Sequence, residues 1–350
     1  VKNLSLFDLP FEMPRCAALL ACIYLPLALS ACGGGEPIPT AEQAHPEPAH
    51  VTVHRTVAGQ PIRLAFVPNA PTAFWEMAEH GLKKFEKETG VHVELKYPPT
   101  GSVEEQNRIL EDLANQNYSG VALSVIAPED QVREIGRATE RMNVVTTDSD
   151  APKSDRIAFV GPRQSDAGAA AGREIVKLLP DGGQIAMFCG DLTAQNAVER
   201  MRGIKSAIAG KNIDIVAMKE DGKDRTRARG QVEDVINAYP KIALLVGLWS
   251  YNGPAIRDAL LGSGRAGKVY AVTFDEEQGT LDGIESGVIA ATVALTPFDY
   301  GFRSARLLYD LAQQGDSARP PNGVIDTGFQ VIHAQDLQAF RQQMAEQAKW

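Results

Sequence analysis

Disulfide chemistry has almost nothing to work with in this chain. Four cysteines occur in 350 residues, Cys16, Cys22, Cys32 and Cys189, and no C-x-x-C pair is formed. A disulfide-stapled scaffold and a cysteine-built zinc site are therefore excluded. Basic charge is in deficit as well. The formal net charge is −9 with a pI near 5.3, and without a basic stripe such a chain is a poor partner for nucleic-acid phosphates. Aromatics make up only 7% of the residues, so one placed in a turn asks for an explanation. P-loop, G-x-S-x-G and H-E-x-x-H motifs are missing, which leaves hydrolase and phosphoryl-transfer chemistry without footing and implies no cofactor and no metal. Gly262, Gly264 and Gly267 do spell G-x-G-x-x-G. A helical pattern precedes them and a strand pattern follows, the reverse of the phosphate-cradling order, so they read as a helix-to-strand turn.

No apolar run reaches the roughly 20 residues that span a bilayer. Residues 16–31, CAALLACIYLPLALSA, follow Arg15 and close on small residues ahead of Cys32-Gly-Gly-Gly. That is the anatomy of a secretory signal peptide over residues 1–31. Leu29-Ser30-Ala31-Cys32 looks like a bacterial lipobox, with cleavage before Cys32 and a lipid on its sulfur. Residues 32–60 then read as the lipidated cysteine and a flexible tether rich in Gly, Pro, Glu and Ala. His45, His50 and His54 fall in it as solvated linker residues, since nothing fixes their geometry for a metal. Of the cysteines only Cys189 is left, inside the apolar run IAMFCG, where a thiol behaves as a small hydrophobe.

From residue 61 the character changes. Short apolar runs, IRLAFV, VHVELKY, GVALSVI, NVVTTD, RIAFVG, QIAMFCG, DIVAMK, IALLVGL, KVYAVTF and VIAATVAL, alternate with longer amphipathic stretches. Runs apolar on both faces, alternating with helices, mean parallel sheets covered on each side. Ser102 and Glu105 have capping-box spacing, and Gly90, Gly120 and Gly210 sit where left-handed helix caps are wanted. About ten strand–helix units are too many for one open sheet. The first four or five runs are assigned to one α/β lobe and the rest to a second, with a first crossing near residues 161–166.

In open parallel sheets, ligands bind outside the carboxyl ends of the strands. Those ends carry Asn69, Phe74 and Trp75 after the first run, Asp148 and Asp150 after the fourth, and Asp191, Gln195 and Asn196 after the sixth. Trp249 and Asn252 follow the eighth, and Asp275 follows the ninth. Phe74 and Trp75 are neighbours that point about 100° apart on a helix, so both cannot enter one core. Carboxylates accept from hydroxyls, and aromatic faces cover the C–H side of a small ring. Converging from two lobes, these groups describe a small polyhydroxy guest in a cleft.

On the order and spacing of IRLAFVP…FW…G, GVALSVIAP, VVTTDSDAP, FVG…AG, FCG…A…ER..G and VTFDEEQ…GVIAATVALTPFDYG, residues 61–335 resemble the sugar-binding periplasmic proteins of ABC importers, ribose-binding type. The resemblance implies two Rossmann-like lobes joined by a three-crossing hinge, the first comprising 61–161 plus 296–325 and the second 162–295 plus 326–340. It implies a lipid-anchored, monomeric solute-binding protein of the periplasm or cell envelope, not an enzyme, that delivers a monosaccharide or polyol to a membrane permease. Phe74 and Trp75 would stack on the sugar, and Asp148 and Asp275 would accept from its hydroxyls. Asn69, Gln195, Asn196, Trp249 and Asn252 would complete the contacts. This chain departs from the pattern at Ser149, Val198 and Leu295, where Arg, Arg and Gln are expected. The pocket should therefore be unusually negative and take a sugar or polyol of different hydroxyl geometry, or one carrying an amine. A ligand-sensing partner of a membrane receptor or kinase would show the same site. A glycosidase would need Asp148 and Asp275 at fixed spacing, which hinged lobes do not provide.

Overall fold

The computed structural model describes residues 51–350; the signal segment, the lipobox and Cys32 lie outside the described residues. Two six-stranded sheets make up the structure. In the first, strands β1 (Leu64–Val67), β2 (Val93–Leu95), β3 (Gly120–Leu123), β4 (Asn143–Thr147), β5 (Ala158–Val160) and β11 (Val324–Ile325) run parallel in the order β11-β5-β4-β3-β1-β2. The second contains β6 (Gly183–Cys189), β7 (Ile213–Glu220), β8 (Ile242–Gly247), β9 (Tyr270–Phe274), β10 (Ala291–Ala294) and β12 (Gln330–Ile332), in the order β12-β10-β9-β8-β6-β7. There only β12 is antiparallel to its neighbour. All ten apolar runs are strands. The two short strands β11 and β12 had no apolar run to announce them.

Most of the strand residues are buried on both faces because helices cover each sheet twice. On the first sheet α2 (Val103–Asn115) and α3 (Val132–Thr139) cover one face, while α1 (Glu76–Thr89) and α9 (Pro297–Gln314) cover the other. On the second, α4 (Gln164–Leu178) and α5 (Gln195–Ile208) lie on one side. Helices α6 (Arg225–Ala238), α7 (Asn252–Gly262) and α8 (Gln278–Glu285) lie on the other. The chain passes between the sheets after β5, after β10 and after β11. A last helix, α10 (Leu337–Gln347), touches both α8 and α1, and Trp350 beyond it lies over the ammonium groups of Lys84 and Lys87.

Local chemistry explains most boundaries. The Ser102 hydroxyl accepts from the Glu105 N–H at 3.2 Å, as capping requires, and the Glu105 carboxylate accepts from the Thr100 N–H at 2.8 Å and hydroxyl at 2.9 Å. Gly90 closes α1 in the left-handed conformation at φ 72°, and Gly210 follows α5 at φ 72°. Gly120 is different: it opens β3, and a Cβ there would lie 2.7 Å from the Leu308 side chain of α9. Its role is close approach of a helix, not a helix cap. The GSGRAG turn does join α7 to β9.

The tether is shorter than its composition suggested. Residues 51–56 are docked on the first lobe: the His54 N–H donates to Asn143 Oδ1 at 2.8 Å, and its ring pairs with the Thr139 carbonyl at 2.7 Å. The Thr56 N–H donates to the Ala312 carbonyl at 2.8 Å, and Arg319 holds the Val51 carbonyl at 2.5 Å. Val51 and Val53 also pack, half-buried, against the core; two apolar residues in so polar a stretch are too few to announce a strap.

The pair α4–α5 is the closest helix contact of the second lobe. A Cβ on Gly168 of α4 would meet the Arg200 carbonyl oxygen at 2.2 Å, so the backbones touch only because the side chain is absent. Gly168→Ala must push α5 away, an overpacking cost of about 1–3 kcal/mol. A thermal melt should show a midpoint several degrees lower; an unchanged midpoint would mean that the helices do not meet there.

Candidate functional site

The carboxyl ends of both sheets face one cleft, and the two lobes use the same device there. Asp148 follows β4 with φ 58°, and Asp275 follows β9 with φ 66°. Aspartate tolerates this left-handed conformation better than most residues. Each is held by the next strand, the Asp148 N–H on the Val160 carbonyl at 3.3 Å and the Asp275 N–H on the Val293 carbonyl at 3.0 Å. Gln164 Nε2 donates to the Asp148 carbonyl at 2.9 Å and Thr292 Oγ1 to the Asp275 carbonyl at 2.7 Å. The positive φ at each strand end turns both carboxylates toward a single guanidinium.

That guanidinium belongs to Arg200, which is 1% exposed. Its nitrogens come within 3.8 Å of Asp148 Oδ1 and 3.9 Å of Asp275 Oδ2. Closer ties go elsewhere: Nε donates to Gln164 Oε1 at 2.9 Å, an Nη donates to the Leu248 carbonyl at 2.5 Å, and the plane lies 4.6 Å over the Phe274 ring. The cation is thus near both acids without hydrogen-bonding either. Burial pushes the carboxyl of Asp148 up to about 6 and that of Asp275 up to about 7, with Arg200 opposing and, for Asp275, the charge of Asp148 adding.

Around these groups lies a cleft with about 460 Å³ of space unfilled by protein, part of it open solvent. The first lobe lines it with Asn69, Ala70, Thr72, Phe74, Trp75 and Asp148; the second gives Asn196, Arg200, Lys223, Trp249, Ser250, Tyr251 and Asp275. Trp75, on a short 3-10 turn ahead of α1, is 1% exposed. It packs edge-on to Phe66 at 5.6 Å and ties its indole N–H to Asn69 Oδ1 at 3.3 Å. Phe74 is half-buried and stands edge-on to Trp75 at 5.0 Å. Both rings of the pair therefore reach the wall: Trp75 seals its inner end and Phe74 lies nearer solvent. Asp148 Oδ1, Asp275 Oδ1, Asn196 Oδ1 and Trp249 Nε1 are buried without a hydrogen-bond partner among the described residues.

Seven of the nine expected residues share this wall. Gln195 and Asn252 do not. Gln195 bonds Glu199 Oε1 at 2.9 Å; Asn252 is 1% exposed, holding Asp221 Oδ2 at 3.1 Å and the Trp249 N–H at 3.0 Å. Asp150 is paired with Arg156, and Asp191 caps its own turn through the Thr193 N–H at 2.8 Å. The expectation of a strongly acidic pocket is also corrected. Val198 is 41% exposed, but Arg200 two residues later occupies the centre of the cleft. With Lys223 it offsets Asp148 and Asp275, so no excess negative charge calls for an amine.

Helix geometry held the missing signal. Residues four apart share a face, so placing Asn196 in the cleft places Arg200 there too, and Gln195 with Glu199 on the adjacent face. Lys223 sits in a turn after β7 and has no periodic cue.

The sequence pattern of the periplasmic binding protein domain matches residues 64–317. The D-ribose/D-allose-binding protein of Pseudomonas aeruginosa is 27% identical over 301 residues, 81% of this chain and 92% of that one. The D-allose-binding periplasmic protein of Escherichia coli is 26% identical over 253 residues, covering 69% and 81%. Among solved structures, an ABC transporter solute-binding protein of Burkholderia graminis in complex with D-arabinose superposes with a TM-score of 0.77. It has 28% identity and covers 81% of this chain and 99% of that one.

The raised carboxyls make a pH prediction. A carboxyl whose folded pKa lies above its unfolded value, near 3.8, favours the fold at low pH and loses that contribution as pH rises through the folded value. Melting midpoints of the ligand-free protein should therefore fall between about pH 4 and pH 7 on account of Asp148 and Asp275. Asp275→Asn should flatten the fall and melt higher than the parent at pH 8; a variant that tracks the parent at every pH would contradict the assignment.

Proposed function

This chain belongs to the periplasmic binding protein family, and on that premise we propose that it captures a small neutral carbohydrate between its lobes for an ABC importer. The observation that carries this reading is the inventory of unpartnered atoms. Three buried acceptors, one in the first lobe and two in the second, face a cavity walled by Trp75, Phe74 and Trp249. A guest rich in hydroxyls supplies the donors, and its C–H faces cover the rings. Acidic and basic side chains are present in equal number on the wall, which favours a neutral monosaccharide or polyol.

The mechanism is closure rather than bond breaking. Ligand favours the closed form only to the extent that both lobes touch it at once, and Asp148 and Asp275 are those two touches. The permease then receives a closed outline. The lipobox at Leu29–Cys32 supports attachment of the monomer to the outer face of a membrane through the Cys32 lipid.

Calorimetry with D-ribose, D-allose, D-arabinose, polyols and amino sugars tests the reading. A neutral sugar should bind, and Asp275→Ala should weaken it about ten- to hundredfold, since hydrogen bonds to charged groups are worth about 1.5–3 kcal/mol. Binding of amino sugars or amino acids alone would refute it. Transport rather than sensing requires that cells lacking the protein lose uptake of that sugar, and that the Asp275→Ala form does not restore it.

A further inference from the structure

Three crossings between the lobes attach at one side of the cleft. They leave β5, β10 and β11, and these strands lie at or next to one edge of each sheet. The opposite edges are β2 and β7. Four strand spacings separate β5 from β2, and four separate β10 from β7, a lever of about 19 Å at about 4.8 Å per strand. Opening by only about 10° moves such an edge by about 3 Å, enough to break a hydrogen bond there.

A hydrogen bond bridges the lobes at that far edge. Lys223, in the turn after β7, donates from Nζ to the carbonyl of Gly101, in the loop after β2, at 3.0 Å. The turn that presents it is rigidly built. Asp221 is 1% exposed; its Oδ1 accepts from the Lys223 N–H at 2.9 Å and from the Tyr251 hydroxyl at 2.6 Å, and its Oδ2 from Asn252 at 3.1 Å. The N–H groups of Asp221 and Gly222 are pinned to the Cys189 and Gly190 carbonyls, both at 3.0 Å. Lys223 itself sits at φ 68°, a conformation that costs free energy for a non-glycine residue and persists where the surroundings impose it. The same side chain lines the cavity. An ammonium has three donors, so one can close the mouth while the others meet acceptors of the guest.

We infer that Lys223 is the latch of the cleft, joining the lobes at the edge farthest from the hinge and tying closure to the guest it covers. Asn252 then serves the site indirectly, by holding the Asp221 turn and the Trp249 backbone. The role for the guest rests on the carbohydrate reading above; the bridge between the lobes does not.

Lys223→Met keeps the stem and removes the charge and donors. Stopped-flow fluorescence of the cleft tryptophans, with D-ribose and D-allose as probes, should show dissociation about tenfold faster and association within about threefold of the parent. Small-angle scattering of the ligand-free protein should shift toward more widely separated lobes. Dissociation within twofold together with an unchanged scattering curve would overturn the latch. Faster dissociation with unchanged scattering, free and sugar-saturated, would also overturn it, leaving Lys223 a mere sugar contact. Should the parent bind neither these sugars nor any other carbohydrate, the functional reading fails, and scattering alone decides the latch.

Discussion

The arrangement depends on one buried cation held between two acids that come from different lobes. Arg200 cannot be left alone at 1% exposure, because an unpaired buried charge costs more than a domain of this size can spare. Its partners are arranged unequally. Gln164 and the Leu248 carbonyl take the short hydrogen bonds, Phe274 takes the face, and the two carboxylates remain at nearly 4 Å. The acids are therefore attracted but not consumed. Each keeps an oxygen without a hydrogen-bond partner among the described residues, and an acceptor so placed discriminates strongly in favour of a guest that donates to it.

Further in, the charge is rationed. Glu276, next to Asp275, is buried, and burial together with the Asp275 charge holds its carboxyl well above the ordinary range. The fully buried Tyr300 hydroxyl is pushed up by burial and then by Asp148. Both shifts disfavour the ionised form beside the cleft, where Asp148 and Asp275 face Arg200 and Lys223. Polar groups of this kind specify one arrangement of the lobes rather than add much stability.

The fold was legible because its signals repeat. Ten apolar runs each matched a strand, eight of them largely buried and the edge strands β2 and β7 only in part, and their alternation with helices pointed to the parallel sheets. β11 and β12 escaped because two or three residues at a sheet edge carry no pattern. The strap at 51–56 escaped because its apolar anchors are only Val51 and Val53, and its hydrogen bonds leave no periodic mark. In the site, Asp148, Asp275, Asn196 and the aromatic pair could be read from strand-end position alone. Arg200 could have been read, since its i−4 neighbour is Asn196, but the family pattern expects the arginine two residues earlier, at Val198. Gln195 and Asn252 looked equally polar in sequence; only the helix phase sends Gln195 to Glu199 and Asn252 into the Asp221 network.

The central claim is that a sugar sits between the lobes, donating to both aspartates at once. A crystal structure of the complex with D-ribose or D-allose tests it most directly. The account predicts ring density between Trp75 and Trp249, with hydroxyl oxygens at hydrogen-bond distance from Oδ1 of Asp148 and from Oδ1 of Asp275. Sugar bound on one lobe alone, or with either aspartate turned away from it, would contradict the account.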